Sequence, residues 1–373
     1  MVSSGTDNVI AALGQSNRIC EVDLKLAGWQ LEQVLAAMQV PFPELTNLKL
    51  RSDGKTPVIP DSFLDGSAPR LQIFRLDGIP FPGFPKLVFS ANLAFLFLYN
   101  IPHSGYISPE AIVALLSVLP GLRSLTLGFQ SPQSRPDRES RSLPPLKRSI
   151  LSALRTFHFK GVTEYLEQLM THIDAPRLGE LDIAFFNQID FDIPQLARFI
   201  NSTLNRKIWD VYVQFDDDQV CARLVLTDRT FEIAISCKDP DWQLSSIEQI
   251  FNSSVYLLST ADGLYIEDGH LEQVWKDGVI ENDQWLRLLL PFTAVTNLYL
   301  SCEIFPGIAT ALQELVGDRI TEVLPSLQFI EVEDDELYDR FLEKIEQFID
   351  ARERASGHPI DTVIWNRHGY TAQ

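Results

Sequence analysis

The chain has 373 residues and a formal net charge of −19 at pH 7, and 45% of its residues are hydrophobic. That apolar content is enough for a continuous core, which excludes bulk disorder. The negative charge argues against binding to nucleic acid or to anionic membrane leaflets, because both need clustered positive charge. No apolar stretch approaches the length of a membrane-spanning helix. We therefore expect neither a nucleic-acid nor a membrane partner.

The cysteines and the first residues indicate the compartment. The four cysteines are far apart and form no C-x-x-C pair: Cys20, Cys221, Cys237 and Cys302. In a chain of this length they are typical of free thiols in a reducing environment. The segment Met1–Gln15 lacks the charged start and apolar core of a secretory signal. We predict an intracellular protein, cytoplasmic or nuclear.

A pattern of apolar anchors, L-x-x-L-x-L, recurs along the chain. Clear copies begin at Leu45, Leu93, Leu122, Leu178 and Val295, and looser copies at Ile19, Leu71, Leu154, Ile208, Thr230, Ala261, Leu327 and Ile360. Successive starts are 22 residues apart at the shortest, from Leu71 to Leu93, and 34 at the longest, from Ala261 to Val295. One short strand and one helix per period of this length is typical of leucine-rich repeats.

Helix signals lie between several of these anchors. Ser108, which Pro109 and Glu110 follow, predicts a helix N-terminus. Thr163 predicts a second one, and the pair Ser245 and Glu248 has the spacing of a capping box. A helix from about Asp334 to Glu353 is predicted near the end of the chain, with Gly357 as its stop.

We therefore predict an α/β fold, a leucine-rich-repeat solenoid of horseshoe shape with parallel strands on the concave face and helices on the convex face. Its organisation is a short N-terminal segment at 1–17, a single domain of about 13 irregular repeats at 18–366, and a tail at 367–373. Residues 131–149, rich in Ser, Pro and Arg, predict an exposed loop, either a solvated insertion or a regulatory segment. The repeat pattern weakens at 216–260.

Sequence signatures of catalysis are missing. The chain has no G-x-G-x-x-G, H-E-x-x-H or G-x-S-x-G motif. Its six histidines lack metal-ligand spacing, and the acidic runs at 216–218 and 331–336 lack the alternating ligands of a calcium loop. We predict no enzyme activity, no metal and no cofactor. An enzyme with a cryptic site in 216–260 remains an alternative.

The residues between the anchors of each strand predict a binding face, because they point away from the helices. They are weakly basic in the first half and acidic in the second, and one strand carries three aromatic residues. Exposed aromatic residues are typical anchors of interfaces, so we predict a protein or peptide ligand on the concave face, with basic segments along the acidic half. The alternative is that the neighbouring loop Ile101–Ile107 covers the three rings. The predicted partner-binding residues are Phe95, Phe97, Tyr99, Lys49, Arg75, Asp182, Asp210, Tyr212, Tyr265, Glu267, Tyr299 and Glu331.

The segments that join the repeats resemble a known family. They are Ile101–Ala111, Leu127–Leu146, Phe157–Leu169, and Phe185–Ile189 with the following Pro194–Ile200. These segments resemble the leucine-rich-repeat region of fungal F-box-like proteins. The resemblance implies repeats that select a substrate for a ubiquitin ligase. The F-box itself, which binds a Skp1-type adaptor, does not fit into 1–17, so the adaptor is an expected partner only if an F-box lies upstream.

Two functional hypotheses follow. In the first, the chain is a non-enzymatic protein-interaction module, similar to the substrate-recognition repeats of an F-box ubiquitin-ligase adaptor. In the second, it is a scaffold or regulatory repeat protein without a link to ubiquitin. Both expect a monomer.

Overall fold

The structure, a computed structural model, describes residues 4–54, 57, 59–80, 92–133, 148–204, 207–269, 281–315, 317–334, 339–357 and 359–366. The chain divides into two compact units, Met1–Asp182 and Ile183–Gln373.

The strands of the first unit pair in parallel. In chain order they are β1 (Glu21–Ala27), β2 (Asn47–Asp53), β3 (Ile73–Asp77), β4 (Phe95–Ile101), β5 (Ser124–Phe129), β6 (Ser149–Ile150), β7 (Thr156–Gly161) and β8 (Ile173–Asp174), and β9 (Glu180–Phe185) follows. The sheet order is β1-β2-β3-β4-β5-β7, and β6 pairs with β8 separately. The registers align equivalent positions of successive repeats, as in the set Val22, Leu48, Phe74, Leu96, Leu125 and Phe157.

The helices of the first unit bury the anchor side of these strands. They are α1 (Ser4–Leu13), α2 (Gly28–Ala37), α3 (Pro109–Ser117) and α4 (Thr163–His172). Apolar residues at helical spacing, such as Ile112, Leu115 and Leu116 of α3, are buried. The expected N-cap of α3 is confirmed, since the Ser108 hydroxyl accepts a hydrogen bond from the Ala111 N–H at 3.3 Å. The segment 1–17 contains α1, whose Leu13 is buried.

The second unit has a mixed sheet. Its strands are β10 (Asp210–Phe215), β11 (Gln219–Val225), β12 (Thr230–Ser236), β13 (Gly263–Asp268), β14 (Asn297–Leu300), β15 (Phe329–Asp334) and β16 (Asp361–Asn366), in the order β12-β11-β10-β13-β14-β15-β16. Strands β10, β13, β14, β15 and β16 pair in parallel, as the repeats predict.

The prediction of a repeat at Thr230 is wrong, because β10, β11 and β12 form an antiparallel meander. The Asp216 N–H donates to the Gln219 carbonyl at 2.8 Å, and the Leu226 N–H donates to the Arg229 carbonyl at 3.1 Å. Each bond closes a two-residue loop, which is too short for the crossover that parallel strands need. The acidic run at 216–218 lies in the first of these loops.

The helices of the second unit are α5 (Pro194–Leu204), α6 (Pro240–Ser253), α7 (Val255–Leu258), α8 (Asn282–Leu289), α9 (Phe305–Gln313) and α10 (Asp339–Ser356). The capping box expected at Ser245 is wrong, because that residue lies inside α6. Asp239 is the N-cap, and its carboxylate accepts from the Trp242 N–H at 3.2 Å. Thr163 is likewise the first residue of α4 and not its cap.

The end of α10 confirms the predicted stop. Gly357 has a φ of +72°, which favours glycine, and its N–H donates to the Glu353 carbonyl at 2.8 Å. The start predicted near Asp334 falls partly on 335–338, which lie outside the described residues. So do 134–147 of the predicted exposed loop and the tail 367–373. Among the described residues, none of the helices combines the length and the apolar character that a membrane crossing needs.

Candidate binding surface

The side of each sheet that carries the positions between the anchors is the open face of that unit. Burial alternates along β2, where Leu48 and Leu50 are buried and Lys49 is half-buried. The helices cover the buried side. The predicted partner-binding residues of the first unit lie on its open face: Lys49, Arg75, Phe95, Phe97, Tyr99 and Asp182.

The aromatic residues of β4 form a row along the strand. The ring centroids of Phe95 and Phe97 are 6.3 Å apart and those of Phe97 and Tyr99 are 6.1 Å apart, and both pairs are stacked. The Arg75 guanidinium carbon lies 4.4 Å from the centroid of the Tyr99 ring, which is a cation–π contact. All three rings are half-buried. The row is therefore held in place and still presents apolar surface.

Beside this row lies a trough whose floor is β5. Its open-face residues are small, Ser124, Thr126 and Gly128, and all are buried. The register places Thr126 between Phe97 on one side and His158 on the other. Thr126 is 4% exposed, and its hydroxyl has no hydrogen-bond partner in the described part of the chain.

His158 forms the far wall of the trough. Its Nδ1 lies 3.1 Å from Oδ2 of Asp182, on the neighbouring strand β9. The hydrogen bond to Asp182 raises the pKa of the imidazole, while partial burial lowers it and the nearby charges of Asp182 and Glu180 raise it further. His158 was expected on this strand, but its pairing with Asp182 was not.

Ion pairs offset the basic character predicted for the first half. Lys49 lies 3.3 Å from a Glu21 oxygen, and Arg51 lies 3.0 Å from an Asp23 oxygen. Lys25 similarly pairs with Asp53, a residue absent from the sequence-based set, at 3.2 Å. The strand registers produce these pairs by placing charges of opposite sign on adjacent strands.

The segment expected as a cover for the aromatic row packs toward the core. Ile101, Gly105 and Ile107 are buried, and the Ile107 carbonyl accepts a hydrogen bond from the Tyr165 hydroxyl at 2.8 Å. The Tyr106 ring contacts Phe129 and Tyr165. These contacts bring the segment to the helix-covered side.

The open face of the second unit carries a ladder of three tyrosines. Tyr212, Tyr265 and Tyr299 occupy equivalent positions on β10, β13 and β14. Their ring centroids are 4.3 and 4.0 Å apart, with interplanar angles of 13° and 1°. The predicted residues Asp210, Glu267 and Glu331 lie on the same face, around this tyrosine ladder.

The prediction that this acidic half carries no Lys or Arg is wrong. Arg223 of β11 lies opposite Tyr212 and opposite Glu232, and its Nε lies 2.8 Å from the Glu232 carboxylate. The sequence reading missed it because β11 carries no anchor triplet. The alternation of Val220, Ala222 and Leu224 was the available signal.

A cavity of about 680 Å³ opens near the first hairpin of the second unit. Its lining includes Ile189, Asp218, Cys237, Asp239 and Trp242. Burial raises the pKa of the Cys237 thiol, so this group stays protonated and is a poor nucleophile. No histidine lines the cavity, and the described residues contain no group of three side chains suited to a metal ion.

Comparisons with known proteins do not identify the chain's relatives. No protein-family profile and no curated protein matches it. Among solved structures, it is similar to the leucine-rich repeat-containing protein LegL7 from Legionella pneumophila, with 12% sequence identity, a TM-score of 0.33 and coverage of 93% of this chain and 95% of that one. A TM-score this low carries no argument. The description of this chain as a strand-and-helix repeat protein with extensive parallel strand pairing therefore rests on its own strands, and no comparison points to F-box proteins.

Proposed function

We propose that the chain is a non-enzymatic protein-interaction module. Its partner docks on the open face of the first unit, with the aromatic row Phe95, Phe97 and Tyr99 as the anchor. The observation that carries this proposal is the row itself, three stacked rings left half-exposed beside a trough of small residues.

The energetics favour such an anchor. Aromatic side chains bury about 150–250 Å² each when covered, and interface energy concentrates in a few of them near the centre of a contact. These rings already contact each other, and Tyr99 contacts Arg75, so little conformational freedom is lost on binding.

The trough supplies a polar contact next to the anchor. The Thr126 hydroxyl is buried without a partner, which costs free energy in the unbound protein. A backbone or side-chain group of a docked segment would complete its hydrogen bonding. The ion pairs around Lys49 and Arg51 provide the polar rim that surrounds most interface cores.

The experiment compares affinities for a partner that the wild-type chain captures and that is then purified. Phe97→Ala should weaken binding by about tenfold or more, as expected of an anchor residue. The matched control is Trp29→Ala, which removes an aromatic residue that is 53% exposed on helix α2. Equal affinities of wild type and Phe97→Ala, with both folded, would contradict the proposal.

The finer hypothesis concerns ubiquitin. The resemblance to fungal F-box-like proteins supports a role as the substrate-recognition repeats of a ubiquitin-ligase adaptor, in the cytoplasm or nucleus and as a monomer. A scaffold or regulatory protein without a ubiquitin link is the second candidate. Purification of the protein from its natural source separates them, because only the first should bring down a Skp1-type adaptor.

A further inference from the structure

The open face of the second unit combines aromatic surface with carboxylates that lack cations. Asp210, Glu267 and Glu331 form no ion pair with any described residue, whereas the nearby Lys207 pairs with Asp262 and Arg223 with Glu232. Burial raises the pKa of Asp210, and the neighbouring charge of Asp262 raises it further. A cation placed against this carboxylate would reverse both effects.

Glycine makes room for this arrangement. A Cβ atom at Gly263 would lie 2.3 Å from an Asp210 oxygen and 3.2 Å from the Tyr265 ring. The absence of that Cβ lets the carboxylate lie over β13 beside the tyrosine ladder.

The ladder itself offers ring edges and hydroxyl groups. Because the rings stack on one another, the inner faces of Tyr212, Tyr265 and Tyr299 are occupied. Their hydroxyl groups interact in line, Tyr212 with Tyr265 and Tyr265 with Tyr299. Burial raises the pKa of Tyr265 far above its usual value, so the hydroxyl remains neutral. The negative charge of this surface therefore comes from the carboxylates.

We propose that this face binds an extended, Lys- or Arg-rich segment of a partner protein. The cations would pair with Asp210, Glu267 and Glu331, and the aliphatic stems and backbone would lie on the tyrosine ladder. The proposal depends on the proposed role of the open faces as binding surfaces, and it adds the chemistry of the partner.

The register of the strands sets the spacing of the basic residues. Asp210, Glu267 and Glu331 lie on β10, β13 and β15, each at a different height along the sheet. With strands about 4.8 Å apart and residues about 3.3 Å apart, their Cα positions are about 12 to 16 Å from one another. An extended peptide advances about 3.4 Å per residue, so basic residues about four positions apart match this spacing.

The test uses a fluorescent peptide with lysine at every fourth position, and a counterpart with glutamate at those positions, in anisotropy titrations with the full chain. The lysine peptide should bind and the glutamate peptide should not, and rising salt should weaken binding. The triple variant Asp210→Asn, Glu267→Gln and Glu331→Gln should weaken it about tenfold or more.

The control changes the net charge equally at another place. Glu343→Gln, Glu346→Gln and Asp350→Asn remove three exposed acids from helix α10. This variant should bind the lysine peptide as the wild type does. No binding of the lysine peptide, or equal weakening by both triple variants, would overturn the proposal. Phe97→Ala, which tests the anchor in the first unit, should leave peptide binding unchanged, so the two proposals can fail separately.

Discussion

Thr126 is a buried hydroxyl group between two large neighbours, Phe97 and His158, on the open face of the first unit. Because it lacks a hydrogen-bond partner, it destabilises the unbound protein. Thr126→Val keeps the shape and removes the hydroxyl. We expect the free energy of unfolding to rise by about 1 kcal/mol in urea denaturation. A fall of similar size would show that the hydroxyl has a partner in the free protein.

The pair His158 and Asp182 predicts a dependence of stability on pH. Its hydrogen bond raises the pKa of His158 in the folded protein. The stabilisation is therefore complete below the pKa of the unfolded state, about 6.5, and is lost as the pH rises through the folded-state pKa. Both side chains are partly exposed, so the effect should stay below about 1 kcal/mol.

Thermal unfolding of the wild type and of Asp182→Asn at mildly acidic and mildly alkaline pH measures this effect. The wild type should gain stability at the acidic pH relative to the variant. An identical pH dependence in both proteins would show that the pair contributes nothing.

Residue-level contacts were the hardest part to predict from the sequence. Alternation within β4 correctly placed Phe97 on the side away from the helices. The ion pairs of Lys49 and Arg51 depend on which strands are adjacent and in which register. A single strand does not contain that information.

At the level of elements, helix α10 holds the preceding segment through one buried side chain. Arg352 is 2% exposed, and its guanidinium donates to the carbonyl groups of Ile320, Val323 and Leu324. Burial lowers its pKa. These bonds satisfy carbonyl groups at and after the 3₁₀ turn Gly317–Thr321.

Arg352→Met keeps most of the aliphatic stem and leaves those carbonyl groups unsatisfied. We expect it to lower the free energy of unfolding by about 2–4 kcal/mol, measured by urea denaturation. Arg354→Met is the control, because Arg354 is exposed and donates only within its own helix, to the Asp350 carbonyl. Similar losses in the two variants would contradict this account of Arg352.

The meander of the second unit shows why one repeat was misassigned. The run Phe231–Ile235 alternates at period two, which is the same in parallel and antiparallel strands. Only the turns distinguish the two cases, and the loop residues at 217–218 and 227–228 are polar and lack a glycine. The sequence therefore gives a weak hairpin signal there.

Over the whole chain, the excess of acidic residues has a structural counterpart in the second unit. On the open face of the first unit, Lys49 and Arg51 are paired with acids, whereas on that of the second unit Asp210, Glu267 and Glu331 have no such partner among the described residues. The period of the anchors predicted the strands because burial of apolar side chains dictates both. It could not predict the partner, because open-face residues are free of that constraint.

Site-specific photo-crosslinking tests the central claim, that the open faces bind the partner, most directly. A photoreactive phenylalanine analogue would replace Phe97 or Tyr265 on the open faces, or Trp29 or Tyr256 on helices α2 and α7, where both side chains are exposed. After illumination in an extract of the natural source, the first two positions should give a covalent adduct with the same purified and identified partner, and the last two should not. Adducts confined to Trp29 and Tyr256, or equal at all four positions, would contradict the claim.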